Sequence, residues 1–381
     1  MYCPVIYFAK ELISIPSISP IDNGCQKIIA KRLFAIGFTI LYFQHGETSN
    51  LLAYKGKGII LSFAGHTDVV PPGSIEKWSS PPFIPKIIKG YLFGRGSSDM
   101  KGSLAAMVIA AERFFLSCNK YIGKVLFLIT SDEESCAEHG TKSIVKYLQY
   151  QNCKIQYCII GEPTSKRILG DIVKIGRRGS LHANLLILGK QGHIAYPMFA
   201  KNPIHLVIPF LNSLINTSWS DGNKYFQKTS MQIYNIVSSI NSENVIPGNL
   251  YIKFNFRFGT DTSVNLLKKK VYYLLKLHNL SYSIKWKLSG EPFLNLKNNL
   301  VYFIKKSIKK YCNIDPNLST DGGTSDGRFL KDIAMELLEI GSKNDTIHQI
   351  DERVLVSDLQ NLSLIYQDVM ENVFLKYQNI K

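Results

Sequence analysis

The sequence lacks the features of a membrane protein and of a secreted protein. No run approaches the ~18 apolar residues that a membrane helix requires. The N-terminal stretch MYCPVIYFAKELISIP has no basic region ahead of an apolar run. The seven cysteines are an odd number, and none lies in a CxxC pair or another metal-binding spacing. We therefore expect reduced thiols, no thiolate metal site and a cytoplasmic protein without a membrane partner.

Acidic residues are scarce relative to basic ones. Lys and Arg number 45 against 29 Asp and Glu, which gives a formal net charge of +16. A charge of this size can attract nucleic acid. The basic residues are spread thinly, however, and the sequence has no zinc-finger spacing, RNA-binding aromatic box or long basic arm. We expect no nucleic-acid partner, because a general bias in amino-acid composition, or attraction of an anionic small molecule, explains the charge as well.

The first part of the chain alternates short apolar runs with amphipathic segments. Ile59–Gly65, Val125–Thr130 and Tyr157–Gly161 are continuously apolar, as buried strands are. Met100–Leu116 and Thr141–Tyr150 have helical periodicity. This alternation predicts an α/β fold with a mostly parallel sheet covered by helices on both faces.

After Gly176 the pattern changes to strands that alternate in period two. Leu181–Leu188 and Tyr251–Phe258 are such strands, helical stretches follow at Pro203–Ile215 and Thr262–Leu277, and a further strand is expected at Tyr282–Leu288. They predict an inserted α+β domain with a four-stranded sheet that is exposed on one face. The first pattern returns near Lys297 with a helix, a strand at Ala334–Glu339 and a final helix from Asp351. The predicted domains are 1–178 (catalytic, first part), 179–294 (inserted dimerisation or lid domain) and 295–381 (catalytic, second part).

Histidine and acidic side chains recur at the ends of the predicted strands. In an open α/β sheet, ligands bind beyond the carboxyl ends of the strands. One further acidic residue directly precedes a helix, and one histidine lies in a loop before the last helix. The set comprises His66, Asp68, Asp99, Glu133, Glu134, Glu162 and His348.

Each of these residues alone has an ordinary structural explanation. An Asp before a helix commonly caps it, and paired Glu residues are commonly solvated. Together they suit two divalent ions ~3.5–4 Å apart, zinc or a similar metal, held by two His and three carboxylates of which one bridges. Asp68 is expected to accept the other ring N–H of His66. Of the adjacent glutamates, one would bind metal while the other moves a proton.

Several motifs resemble those of the two-metal aminoacylase and carboxypeptidase (zinc-peptidase-like) family. These are GHTDVVPPG (65–73), GRGSSDMKG (94–102), TSDEE (130–134), GEPTS (161–165) and TIHQIDE (346–352). Further strings resemble one branch of that family, the succinyl-diaminopimelate desuccinylases. They are GRRGSL (176–181), GKQGHIAYP (189–197), NVIPGNL (244–250), FNFRF (254–258) and STDGGTSDGRF (319–329).

The resemblance implies hydrolysis of N-succinyl-LL-2,6-diaminopimelate to succinate and LL-2,6-diaminopimelate, a step of lysine and diaminopimelate biosynthesis. It implies two divalent ions per subunit, zinc with cobalt as an alternative, and a homodimer built through the inserted domain. Two alternatives stay open. Acetylornithine deacetylases and related aminoacylases or dipeptidases share the metal motifs, and a metal-free binding protein could have kept the fold.

The same resemblance assigns roles to the residues of the metal site. His66 and Glu162 would hold one ion, Glu134 and His348 the other, and Asp99 would bridge them. Glu133 would be the general base. The peptide bond after Asp99 is often cis in this family.

Roles outside the metal site also follow from the resemblance. His193 would reach into the partner subunit's site and stabilise the oxyanion, and Asn244 would have a similar cross-dimer role in substrate binding. Substrate carboxylates would be bound by Arg177, Ser180, Tyr196, Arg257, Thr324 and Asn344, since an Arg fork meets a carboxylate with two hydrogen bonds. The chain departs from the family pattern at Ser97-Ser98, at the stretch 135–139, at Ser342-Lys343 and at Asp345.

Overall fold

The computed structural model describes residues 3–118, 120–240 and 242–375. These residues form two compact units. The first contains the described residues up to Gly176, Asn295–Ser319 and the described residues from Ser325 on, and the second contains Arg177–Leu294 and Thr320–Thr324. The predicted boundaries lie after residues 178 and 294, and the prediction includes Thr320–Thr324 in the second catalytic part. In the described ranges, no helix is long and apolar enough to span a bilayer.

The secondary-structure elements are numbered along the chain. The helices are α1 (Pro4–Ile13), α2 (Cys25–Ala35), α3 (Lys101–Ser117), α4 (Thr141–Tyr150), α5 (Pro203–Asn216), α6 (Val264–Leu277), α7 (Asn299–Cys312), α8 (Gly327–Leu330) and α9 (Val356–Phe374). The strands are β1 (Thr39–His45), β2 (Thr48–Lys57), β3 (Ile60–His66), β4 (Lys86–Ile88), β5 (Tyr91–Phe93), β6 (Gly123–Thr130), β7 (Ile155–Ile160), β8 (Ile172–Lys174), β9 (Gly176–Arg177), β10 (Gly179–Leu188), β11 (Gly192–His193), β12 (Ser230–Ser238), β13 (Val245–Ile246), β14 (Asn249–Phe258), β15 (Tyr282–Gly290), β16 (Phe293–Leu294), β17 (Asn317–Ser319), β18 (Ala334–Glu339) and β19 (Arg353–Leu355).

The first unit is built on an eight-stranded sheet in the order β1-β2-β6-β3-β7-β18-β8-β17. Its centre is parallel, because β3 pairs in parallel with both β6 and β7, and β18 continues this direction beside β7. The hairpin β1–β2 adds antiparallel strands at one edge. The predicted α/β fold with a mostly parallel central sheet is confirmed. The hairpin was not predicted, and together with the antiparallel pairing of β18 and β8 it makes the sheet mixed.

Helix α3 is the main buried helix of this unit. It is apolar almost all round, with Leu104, Met107, Val108 and Phe114 fully buried, and it packs against α1, α9 and β3. A helix that is hydrophobic on every side must be enclosed to be stable. Helix α3 begins at Lys101, two residues after Asp99. Its packing therefore fixes the C-terminal end of the loop that contains Asp99.

The last helix begins later than the sequence predicted. Helix α9 starts at Val356 and not at Asp351. The residues between form β19, which pairs antiparallel with β5 through Arg353↔Phe93 and Leu355↔Tyr91. Backbone hydrogen bonds to β5 therefore take the place of the helical ones that the sequence pattern suggested.

The second unit contains a four-stranded antiparallel sheet in the order β12-β14-β10-β15. Alternate residues of β14 are buried, and α5 and α6 supply the rest of a core that includes Phe210, Phe254 and Phe256. The predicted four-stranded sheet is present, exposed mainly on one face. Its fourth strand, β12, had no recognisable pattern because most of its residues are exposed at the edge of the sheet.

One glycine brings two strand ends of the first unit unusually close together. Gly341 follows β18, and a Cβ atom placed on it would lie 2.4 Å from the carbonyl oxygens of both Gly161 and Glu162. These are backbone atoms, which cannot move aside as a flexible side chain does. The segment that carries Glu162 is thus packed directly against backbone at residue 341.

Candidate metal centre

The carboxyl ends of β3, β6 and β7 bring the predicted ligands to one edge of the sheet. His66 is the last residue of β3, and it is paired with Thr130, the last residue of β6. The Nε2 atom of His66 lies 3.2 Å from Oδ1 of Asp99 and 3.7 Å from Oε1 of Glu162. The parallel register of β3 and β7 ends these strands at the same level and brings Glu162 close to His66, whereas Asp99 comes from the loop before α3.

The second imidazole approaches the same aspartate from another side. Nε2 of His348 lies 3.0 Å from Oε1 of Glu134 and 3.4 Å from Oδ2 of Asp99. His348 has φ +60°, in the left-handed region that non-glycine residues seldom occupy. The two oxygens of Asp99 therefore face different histidines, which is the arrangement that a bridging carboxylate requires. The Asp99–Met100 peptide bond is cis.

The ligand-type atoms form two overlapping groups. One atom each from His66, Asp99 and Glu134 lie within 4.8 Å of one another, and the same holds for His66, Glu133 and Glu162. The predicted metal ligands and the predicted base are thus close together. Their individual roles stay predictions.

The hydrogen bond on Nδ1 of His66 determines its tautomer. Nδ1 lies 2.9 Å from the main-chain oxygen of Asp68 and 3.5 Å from the carboxylate Oδ1 of the same residue. A carbonyl oxygen only accepts, so Nδ1 carries a proton, and in the neutral ring that a metal requires Nε2 would offer its lone pair on the side of Asp99 and Glu162. The Asp68 carboxylate was the predicted acceptor of this bond, but the main-chain oxygen of Asp68 is the nearer one.

The Asp68 carboxylate instead holds the loop after β6. Its Oδ2 accepts a hydrogen bond of 3.0 Å from the backbone N–H of Glu134 and one of 2.6 Å from the hydroxyl of Ser19. Asp132 fixes the other end of this loop, since its Oδ2 accepts the N–H groups of His139 and Gly140. Asp132 lies within the motif TSDEE but was given no role from the sequence, and Ser19 lies outside every motif that was quoted.

The electrostatics of the site follow from crowded acids and two imidazoles. Burial opposes the charged form of His66, but hydrogen bonds with Asp68 and Asp99 raise its pKa well above the usual value. Hydrogen bonds with Asp99 and Glu134 raise the pKa of His348 to about 10. Burial and the neighbouring carboxylates of Glu162 and Asp326 raise the pKa of Glu133 well above its usual range. Asp99, despite its burial, has a pKa below the ordinary one because both imidazoles contact it.

This donor set fits a pair of divalent ions. Five carboxylates and only two imidazoles meet here, and buried carboxylates without compensating positive charge are unstable. Neutral imidazole nitrogen and carboxylate oxygen are the ligands that zinc and similar ions take. His66, Asp99 and Glu162 would hold one ion, and Asp99, Glu134 and His348 the other.

The sequence profile of peptidase family M20/M25/M40 matches residues 62–372. The chain belongs to this family. M20 peptidases are hydrolytic enzymes with dinuclear metal centres, so the resemblance to the two-metal aminoacylase and carboxypeptidase family is confirmed.

Solved structures of M20 proteins share the fold over nearly the whole chain. An M20 metallo-carboxypeptidase from Sulfolobus solfataricus has a TM-score of 0.83 at 16% identity, covering 97% of this chain and 99% of its own. Aminopeptidase PepT from Bacillus cereus has a TM-score of 0.78 at 18% identity, covering 97% and 98%. The YXEP protein of Bacillus subtilis, a dinuclear metal-binding peptidase, has a TM-score of 0.73 at 13% identity, covering 97% of each chain.

Most residues predicted to contact substrate in this M20 chain lie in the second unit. His193 pairs with Val245 in the ribbon formed by β11 and β13, which brings it next to Asn244. Nδ1 of His193 accepts the backbone N–H of Ala195 at 3.1 Å. The neutral ring therefore carries its proton on Nε2 and can donate it to an oxyanion.

The predicted carboxylate-binding residues of the second unit fall into smaller groups. Ser180 and Arg257 are direct partners across β10 and β14. Nη1 of Arg177 lies 3.4 Å from the carbonyl oxygen of Gly323, next to Thr324. Tyr196 is exposed, with its ring 5.6 Å from that of His193. Asn344 belongs to the first unit, where its N–H donates to the carbonyl of Ser165.

Two of the departures from the family pattern are in contact. The hydroxyl of Ser342 donates to the carbonyl of Ser98 at 2.8 Å, and the hydroxyl of Ser98 bonds the carbonyl of Lys343. The two positions therefore form one local contact beside Asp99.

Removal of one terminal ligand tests the metal centre. We expect His348→Ala to lower the zinc retained after dialysis from about two ions per chain to about one, because the ion held by Asp99 and Glu134 loses its nitrogen ligand. Atomic absorption on dialysed protein measures this directly.

The exposed His45, at the end of β1 in the same unit, provides the control. His45→Ala should keep the wild-type zinc content. Equal zinc content in His348→Ala and wild type would show that this histidine is not a ligand.

Proposed function

We propose that this chain hydrolyses N-succinyl-LL-2,6-diaminopimelate to succinate and LL-2,6-diaminopimelate. The amide-hydrolase part of the proposal depends on one observation: Asp99 lies between the two imidazoles, with Glu134 and Glu162 on either side and Glu133 close by. The choice of substrate is supported by the strings that resemble the desuccinylase branch. We propose zinc as the metal, cobalt as an alternative, and the cytoplasm as the location.

Residues of the chain would share the work of amide hydrolysis. Two bound divalent cations would polarise the scissile carbonyl and lower the pKa of a water molecule. Glu133 would take a proton from the attacking water and deliver it to the leaving amine. The Nε2–H of His193 would stabilise the developing oxyanion.

The substrate has several carboxylates, and the chain has the groups to bind them. Arg177 and Arg257 offer planar forks that match a carboxylate, and Ser180 lies opposite Arg257 in the sheet. The net charge of +16 would favour approach of an anionic substrate. This gives the basic composition a function that does not involve nucleic acid.

A panel of acylated amino acids tests the choice of substrate. With zinc present, we expect release of free amine from N-succinyl-LL-2,6-diaminopimelate, little from N-acetylornithine or a dipeptide, and none after a chelator. Cleavage of N-acetylornithine alone would replace the proposal with a deacetylase. If all substrates stay intact although two ions are bound, the protein is not one of these hydrolases.

We also propose that the protein is a homodimer built through the second unit. Helix α5 buries Val207, Phe210 and Leu214 in its own core, yet Ile208 and Ile215 on its other side are 57% and 63% exposed. The neighbouring strand β12 is an open sheet edge with exposed apolar side chains. An apolar helix face beside a free edge strand is unfavourable in water unless another chain covers it, and a second copy offers the same surface by two-fold symmetry.

Single substitutions test the assigned catalytic groups. Glu133→Gln should keep both ions and lower kcat by about 10²–10⁴, the usual size of a general-base contribution. His193→Ala should lower kcat by about 10²–10³ as an oxyanion donor. Glu138→Gln, an exposed glutamate in the same loop, is the control and should keep wild-type turnover. Normal kcat in either test variant would remove that residue from the mechanism.

Mixed dimers test whether His193 serves the partner's site. When Glu133→Gln and His193→Ala chains are mixed in equal amounts and allowed to exchange, half of the dimers are hybrids, and each hybrid has one site with both native residues. Activity should then recover to about a quarter of the wild-type value. If His193 acts in its own subunit, no site regains both residues, and the mixture stays as slow as its components.

A further inference from the structure

A buried glutamate outside the predicted ligand set contacts the loop that carries Asp99. Glu352 lies four residues after His348 and is fully buried. Its Oε1 accepts the backbone N–H groups of Ser98 at 2.9 Å and Asp99 at 3.0 Å. Its Oε2 accepts the N–H of Gly96 at 2.9 Å and Nη1 of Arg95 at 2.7 Å.

These four hydrogen bonds restrict the loop more than an ordinary buried ion pair would. A single Arg95–Glu352 pair would neutralise the charge without restricting residues 96–99. Here three of the four bonds go to backbone N–H groups of that loop, two of them to consecutive residues. Two consecutive N–H groups directed at one oxygen fix the orientation of the peptide between Ser98 and Asp99, and with it the direction in which the Asp99 side chain leaves the backbone.

The main chain around Glu352 fixes the other side of the same connection. Its carbonyl oxygen accepts the N–H of Gly94 at 3.0 Å, and the next residue, Arg353, pairs with Phe93. The segment that follows His348 is therefore in register with the segment that precedes Asp99. His348 and Asp99 lie 249 positions apart in the sequence. Glu352, four residues after His348, connects the two segments through hydrogen bonds with the N–H groups of Gly94 and Asp99.

We propose that Glu352 is a positioning residue of the metal centre, which holds the Asp99 carboxylate between His66 and His348 so that both ions can share it. The inference rests on the two-metal site proposed above. It assigns Glu352 no contact with substrate or metal. Its effect is on the affinity and geometry of the site, since groups that hold ligands in place influence the metal nearly as strongly as the ligands do.

The variant Glu352→Gln separates this role from simple packing. Glutamine has nearly the same shape, but its NH₂ group replaces one carboxylate oxygen. Each oxygen of Glu352 faces two donors, so in either orientation of the amide a donor meets two donors and the hydrogen bonds on that side are lost. The Asp99 loop then loses its fixed orientation although the volume is conserved.

The experiment is a cobalt titration of the metal-free protein, followed by visible absorption and by competition with a chelator. We expect Glu352→Gln to bind Co²⁺ about 10- to 100-fold more weakly than wild type, with an altered d–d spectrum. General destabilisation would lower the thermal unfolding midpoint and leave the d–d spectrum of bound cobalt unchanged. A changed spectrum therefore reports on the geometry of the metal site.

Glu336 provides a matched control. It is a buried glutamate of β18 whose carboxylate accepts the backbone N–H of Leu300, in the first turn of α7, at 2.8 Å. Like Glu352 it is a buried carboxylate that holds a backbone N–H, but Leu300 is not next to a predicted metal ligand. Glu336→Gln should lower the unfolding midpoint and keep the wild-type cobalt affinity and spectrum. Should Glu352→Gln fail to fold, Glu352→Asp retains both oxygens one methylene further back, and we expect an intermediate loss of affinity.

The outcomes distinguish the inference from the proposed function. Wild-type cobalt affinity and spectrum in the folded Glu352 variants would overturn the positioning role while the metal centre stands. A cobalt spectrum that changes as much in Glu336→Gln would also overturn it, because the effect would then be general destabilisation. A wild-type protein that binds no cobalt or zinc would overturn the two-metal site itself.

Discussion

Repulsion among carboxylates at one sheet edge is the constraint on which the site depends. Two unit charges ~4 Å apart interact by about 4 kcal/mol where the effective dielectric constant is about 20. Ligand atoms of His66, Glu133 and Glu162 lie within 4.8 Å of one another, as do those of His66, Asp99 and Glu134. Apolar strands keep these groups in place, so they cannot separate to lower their energy. A pair of divalent cations would turn this unfavourable cluster into a stable one, and a cluster of this kind suits an M20 hydrolase.

The ligands could be predicted from the sequence because each lies at a boundary that short-range patterns reveal. Continuous apolar runs located the ends of β3, β6 and β7, and the rule for open α/β sheets then grouped His66, Glu134 and Glu162. The hydrogen-bond partners could not be predicted in this way. Glu352 and Ser19 act through backbone N–H groups and side chains distant in sequence, and no periodicity connects such contacts.

The second unit shows a different limit of the sequence. Strands β10 and β14 were recognisable because one face of each is buried, whereas β12 has no alternating pattern at an exposed edge. The proposed substrate groups Arg177 and Arg257 depended on the family resemblance alone. Charged residues in strands have many ordinary explanations, and no local pattern distinguishes a substrate-binding arginine from one in a surface ion pair.

The close approach at Gly341 limits how this site can diversify. Any side chain there would collide with the carbonyls of Gly161 and Glu162, so the end of β18 cannot contribute a new ligand or a new specificity group without displacing an existing one. A substitution intended to change the substrate preference must therefore leave this strand end untouched. Changes placed elsewhere in the chain would leave this backbone contact, and with it the position of Glu162, intact.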